Sequence, residues 1–236
     1  RLVGSEMCIR DRPSASTPRL SHRAWGSPSA KQLMAAEFHI GIDVSEHQDG
    51  LSLVQAAAEG IDFVVVRTTD GTYRDRTYAS HIDDARRAGL FIETYHYLRN
   101  PSEGTTVVEQ VDAACAVMGE QVYPMWIDCE TPAGLSLDHV RQARDEFTAR
   151  GVPVAGIYTY PRYWRWRMLG AGTAEFGAAW VADYGADRVG PPRELLDGRR
   201  WPGDVGKQAP VMWQFGSRGL VAGYEVDVDV RRVIST

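Results

Sequence analysis

Two carboxylates spaced two residues apart, Asp128 and Glu130, close the apolar run Pro124-Met125-Trp126-Ile127-Asp128-Cys129-Glu130 and are followed at once by Thr131-Pro132. A run of this length stopped by a breaker reads as a buried strand, and a strand's period of two sends both acids to one face. Two carboxyls in one pocket disfavour each other's ionisation, and that coupling holds one of them protonated near neutral pH as a general acid. Protonating a leaving sugar oxygen is a task suited to such a pair, so the candidate chemistry is glycoside hydrolysis. On an isolated strand end in solvent the same spacing would do nothing; the rest of the chain has to supply the pocket.

The elements that would build it follow from residue 38 onward as an alternation of short β-type runs and helical segments. Strands are expected over 38–45, 62–68, 90–98, 122–130 and 154–160, with helices over 51–59, 78–88, 105–118 and 136–150. Gly60, Gly89 and Gly151 stand where three of those helices stop, and Ser136 stands where a cap is needed. Beyond residue 160 the helices become poor, and 180–184, 211–215 and 226–230 read as strands between Gly/Pro-rich loops. The pattern predicts an α/β fold, a single parallel barrel whose last third is degraded.

A barrel places its chemistry at the carboxyl ends of its strands. Polar and aromatic residues fall there: Asp43 in the first strand, Arg67 in the second, Tyr95 and Tyr97 in the third, and Asp128 and Glu130 in the fourth. Tyr158, Asp183, Trp213 with Gln214, and Asp227 follow in the remaining four. Aromatic rings suit sugars, whose C–H faces stack on them while the hydroxyls bond to carboxylates and amides. Tyr95, Tyr97, Tyr158, Trp213, Gln214, Arg67 and Asp183 are therefore the substrate-binding candidates.

Bulk properties exclude other classes. The 236 residues carry a formal net charge of −5 with 44% hydrophobic content, a soluble globular composition without the basic footprint of a nucleic-acid binder. No run of about 18 apolar residues is present to span a membrane. Cys8, Cys115 and Cys129 lack ligand spacing, so a zinc site has no support, and free thiols are the simplest expectation for the last two. Residues 1–37 show no apolar period and no secretory h-region, and are expected to form an unstructured or artefactual extension before a catalytic domain over 38–236. Their opening stretch, 1–12, resembles translated sequencing-adapter text, which would make Cys8 foreign to the natural protein.

Taken together, Gly41-Ile42-Asp43-Val44-Ser45, Tyr95-His96-Tyr97, Trp126-Ile127-Asp128-Cys129-Glu130, Gly156-Ile157-Tyr158-Thr159, Trp180-Val181-Ala182-Asp183-Tyr184, Trp213-Gln214-Phe215 and Val226-Asp227-Val228-Asp229 resemble, in that order, the signature blocks of glycoside hydrolase family 25. The resemblance spans about residues 39–233. It implies a distorted (β/α) barrel of five βα units followed by three strands with weak helices. It also implies a lysozyme, needing no metal or organic cofactor, that cuts the β-1,4 bond between N-acetylmuramic acid and N-acetylglucosamine. Glu130 would then be the general acid. Asp128 would either place the substrate's 2-acetamido group as internal nucleophile or stabilise the charge developing at the anomeric carbon, and Asp43 and Asp227 would complete the acidic floor. Two departures stand out: Thr69-Asp70-Gly71 carries Asp where Glu is common, and Asp229 stands where Asn is frequent. The implied partner is the peptidoglycan glycan strand, met outside the cell or in the wall by a monomer, whether exported or released at phage lysis.

Other residues read more plainly. His96 has the opposite parity to Tyr95 and Tyr97 and is expected under the helix layer. Trp164 and Trp166 are expected to pack, Arg67 to neutralise a lumen carboxylate, and the charged stretch 141–150 to be the solvated face of a helix. A chitinase-like hexosaminidase is the second enzymatic reading, although its longer D-x-x-D-x-D-x-E pattern is missing before Glu130. A silent carbohydrate-binding barrel is the reading from another class.

Overall fold

The computed structural model describes residues 38–232, so the expectations for residues 1–37, Cys8 among them, lie outside the described residues. Nine strands form one sheet: β1 (Phe38–Val44), β2 (Phe63–Asp70), β3 (Tyr73–Arg74), β4 (Phe91–Tyr97), β5 (Met125–Asp128), β6 (Val154–Thr159), β7 (Ala178–Ala182), β8 (Met212–Val221) and β9 (Tyr224–Arg232). All but β3, a two-residue strand folded back on the end of β2, close into an eight-stranded barrel. Pairing is parallel from β1 through β2, β4, β5, β6 and β7 to β8.

The closing strand departs from the all-parallel expectation, because β9 runs antiparallel to both β8 and β1. The cause is local. Ala222 and Gly223 alone join β8 to β9, both at positive φ (49° and 83°), and so short a turn can only link antiparallel strands. The reversal brings the beginning of β9, rather than its end, to the mouth of the barrel, and seats Asp227 opposite Asp43 in register.

Four helices cover the first two thirds: α1 (Leu53–Ala58), α2 (Tyr78–Ala88), α3 (Val107–Met118) and α4 (Leu137–Ala149). Ser52, Thr106 and Ser136 accept from first-turn backbone amides, and Gly89 ends α2 in the left-handed conformation. Among the described residues two short α-helices follow, α5 (Pro161–Arg167) and α6 (Pro192–Leu196), in keeping with the weak pattern of the last third.

Strand parity divides the core in two. One parity of each strand, carrying Ile40, Ile42, Val44, Val64, Val66, Ile127, Ile157 and Val181, packs outward beneath the helices. The alternate residues Phe63, Val65, Trp126, Tyr158, Trp180 and Met212 fill the barrel's interior. Gly41 belongs to this inner set because a Cβ there would stand 2.3 Å from the Phe63 ring; the missing side chain admits the aromatic plug. His96 is fully buried on the outer face, bonded to Thr69 and set edge-on to Phe147 of α4, where burial lowers its pKa to about 4. Cys115 and Cys129 are free thiols.

Candidate active site

Above the aromatic plug the inner parity places Asp43, Arg67, Tyr95, Tyr97, Asp128, Tyr158, Gln214 and Asp227 around one cleft of about 280 Å³ at the mouth of the barrel. β5 ends at Asp128, yet the alternation persists: Cys129 turns into the outer core and Glu130 returns to the cleft. The backbone amide of Cys129 donates to the Tyr158 carbonyl at 2.9 Å, and Thr159 Oγ1 donates to the Cys129 carbonyl at 3.0 Å. These two bonds fix the segment that carries both acids.

The acids differ in depth. Asp128 is 3% exposed, and its Oδ1 has no hydrogen-bond partner, while Glu130 is half-buried at the rim. Burial raises both carboxyls, Asp128 well above the usual range with the charge of Glu130 adding to the effect. Asp227 is pushed up to about 9 by burial and then by Asp43. Asp43 is likewise raised by burial, then by the charge of Asp229. So many acids in one low-dielectric cleft cannot all be charged, and the floor retains protons at neutral pH.

Cations at the cleft are already matched. Arg67 Nε donates to Asp75 Oδ2 at 2.8 Å and the same guanidinium reaches Glu46, so it holds carboxylates at the cleft's edge rather than one of the four floor acids. Arg99 forms a two-pronged contact with Asp70 at 2.5 and 2.7 Å, and lies 4.7 Å from the centre of the Tyr97 ring.

Two sequence-predicted binding residues fall elsewhere. Trp213 points outward, set edge-on to Trp201 and Phe215 at 5.8 Å with its Nε1 donating to the Asp183 carbonyl at 2.9 Å. Neighbours on one strand cannot face the same side, and the register gives the lumen to Gln214. Asp183 fails by the same single step: its side chain is exposed away from the cleft, and Tyr184 lines it instead. A third correction concerns packing. Trp164 is buried as expected, but Trp166 is 71% exposed.

Sequence reasoning passed over Trp180, whose ring lies 4.5 Å from that of Tyr158 and whose Nε1 donates to Asp229 Oδ1 at 2.8 Å. Trp180, Ala182 and Tyr184 share one parity, but nothing in the sequence says that this face, rather than that of Val181 and Asp183, looks inward. Asp70 and Arg99 also line the cleft and carried no periodic signal.

The profile of the family described as Glycosyl hydrolases family 25 matches residues 42–224. Among curated proteins, an autolytic lysozyme of Clostridium acetobutylicum is 30% identical over 162 residues, covering 63% of this chain and 46% of the relative. Lysozyme M1 of Streptomyces globisporus is 28% identical over 208 residues, covering 80% of this chain and 65% of that one. The chain thus spans about half to two thirds of the length of these relatives. A bacterial lysozyme structure from Streptomyces coelicolor superposes with a TM-score of 0.64 at 24% identity, over 84% of this chain and 93% of the other. A lysozyme from Aspergillus fumigatus gives 0.63 at 23% identity, over 84% and 95%. These two likenesses establish the barrel architecture.

Proposed function

Because the chain belongs to the glycosyl hydrolases of family 25, we propose that it is a peptidoglycan hydrolase, a β-1,4-N-acetylmuramidase that cuts between N-acetylmuramic acid and N-acetylglucosamine. The observation that carries this reading is the convergence of Asp128 and Glu130 with Asp43 and Asp227 at one mouth, ringed by Tyr95, Tyr97 and Tyr158. The lysozymes it resembles lend the substrate class.

Glu130, at the rim, is where a glycosidic oxygen can reach a carboxyl proton. Burial alone favours the proton on the deeper Asp128, so the substrate has to redistribute it. An acetamido N–H donated to the unpartnered Oδ1 of Asp128 stabilises that carboxylate and leaves the proton on Glu130. Glu130 then protonates the leaving oxygen as the C1–O bond breaks. The acetamido carbonyl oxygen, oriented by Asp128, closes on C1 and shares its positive charge. Water opens that ring and returns a proton to Glu130. Asp43 and Asp227 hold the floor in shape and, being largely protonated, do not oppose the charge of Asp128.

The cleft is complete within one chain, which supports action as a monomer, and its acidity disfavours nucleic-acid backbones. Peptidoglycan lies outside the cytoplasmic membrane, so the proposed site of action is extracellular or in the wall. No helix among the described residues is long and apolar enough to cross a membrane. Mass spectrometry of fragments released from purified peptidoglycan tests the assignment. Muramic acid at the new reducing ends is expected; N-acetylglucosamine there, or no release, overturns it.

A further inference from the structure

Beside the cleft, α5 and the residue before it carry the sequence Tyr160-Pro161-Arg162-Tyr163-Trp164-Arg165-Trp166-Arg167, three guanidiniums in a chain whose net charge is −5. Trp164 anchors the helix in the outer core and Tyr163 is buried with it. The rest faces solvent: Arg162, Arg165 and Arg167 are exposed, as is Trp166, and Leu169 just beyond the helix is 90% exposed. A surface tryptophan with nothing packed on it, among cations, is an unfinished contact.

Those cations are unmatched. Several exposed arginines elsewhere do pair, Arg141 with Glu175, Arg150 with Asp112 and Arg218 with Glu225. Among the described residues neither Arg162 nor Arg165 has an ion-pair or hydrogen-bond partner, and Arg167 donates only to the Pro132 carbonyl, at 3.0 Å. Tyr160, Arg162, Tyr163, Trp166 and Arg167 together enclose an open hollow of about 480 Å³.

Its position ties it to the cleft. The helix starts directly after β6, whose Thr159 is bonded to the Cys129 carbonyl one residue before Glu130, and Arg167 reaches across to the loop that follows Glu130. Hollow and cleft therefore lie at the same end of the barrel, where the segments after β5 and β6 meet. The proposed substrate is anionic, since each muramic acid bears a peptide stem with free carboxylates. The cleft offers such carboxylates nothing: its own surface is acidic, and Arg67 and Arg99 are spent on Asp75 and Asp70.

We propose that the hollow on α5 is a second binding surface, where Arg162 and Arg167 hold a carboxylate of a peptidoglycan peptide stem and Trp166 with Tyr160 packs on its apolar atoms, while the glycan lies in the cleft. This rests on the muramidase reading and deepens it, making peptide-bearing strands the preferred substrate.

The test uses the full chain and two soluble substrates, un-cross-linked glycan strands freed of wall polymers, and the same strands after an amidase has removed their peptides. Wild type is expected to show a lower KM on the peptide-bearing strands, an advantage that fades at about 0.5 M salt. Arg162→Glu should raise that KM about 10-fold with kcat unchanged, Trp166→Ala should raise it several-fold, and Arg162→Lys should retain most of the affinity. On stripped strands all three variants should match wild type. Both side chains are exposed, so circular dichroism should show an unchanged fold. Equal KM for the two substrates in wild type, or variants that lose affinity alike on both, would overturn this inference while leaving the muramidase reading intact. A loss seen only on strands that retain phosphate-bearing wall polymer would also overturn it, and cleavage of neither substrate by wild type would remove both.

Discussion

Gln214 Nε2 donates to Asp43 Oδ2 at 2.6 Å, and this bond links the last parallel strand of the barrel to the first. The other end of the same amide accepts from the hydroxyls of Tyr158, at 2.7 Å, and Tyr184, at 2.6 Å. Two hydroxyl donors on one side and a carboxyl on the other leave the amide a single orientation. Asp43 is thereby held in place by a neutral donor that favours its carboxylate, though burial outweighs that bond and keeps the pKa raised.

Gln214→Ala removes that partner and leaves a buried carboxyl and two phenols unsatisfied. Stability should drop by about 1–3 kcal/mol and kcat by about 10- to 100-fold. Gln214→Glu keeps the shape but faces Asp43 with a second acid, so its deficit should be smaller at pH 5 than at pH 8. Denaturant titrations and initial rates at both pH values check this, and a fully active Gln214→Ala would remove Asp43 from the working site.

The two acids of the D-x-E pair should separate by substrate. Glu130→Gln keeps the shape and supplies no proton, so activity on walls should fall roughly 10²- to 10⁴-fold. On a substrate with a good leaving group that loss should shrink markedly. Asp128→Asn should injure both reactions alike, because its help goes to the anomeric centre. The reverse pattern, with Asp128→Asn rescued by the activated leaving group, would exchange the two roles.

Stability should depend on pH through Asp229. Burial and then Asp227 raise its pKa to about 8, against about 4 for a carboxyl in the unfolded chain. Between those values the unfolded chain has lost a proton that the folded chain keeps, so stability falls as pH rises from about 4 to about 8. Asp229→Asn cannot ionise, and its Oδ1 can still accept from Trp180 Nε1. Its melting temperature should match wild type near pH 4 and exceed it increasingly up to pH 8, by as much as a few kcal/mol in free energy. A difference that stays flat across this range would falsify the account.

Closure of the barrel needs only the described residues, since Phe38 at the start of β1 already pairs with Arg232 at the end of β9. A chain beginning at Ala36 is expected to melt within about 2 °C of the full chain and to cleave walls at the same rate. A loss of several degrees would mean that residues 1–35 contribute to the folded domain.

By itself the sequence determined which parts are strands and helices in the first two thirds, because helix stops, caps and apolar runs are local signals. It determined that Asp128 and Glu130 share a face, because a period of two survives beyond the strand's last residue. Asp43, Tyr95, Tyr97 and Tyr158 were legible for the same reason. What only the tertiary structure decided was parity and direction where the text is uniformly apolar or aromatic. Trp180-Val181-Ala182 and Met212-Trp213-Gln214 contain no alternation that says which residue faces inward, and register with neighbouring strands chose Trp180 and Gln214 over Val181 and Trp213. The antiparallel return of β9, set by its two-residue turn, brought Asp227 and Asp229 up beside Asp43. Contacts between strands so distant in sequence depend on how the sheet closes, and closure is a property of all eight strands at once.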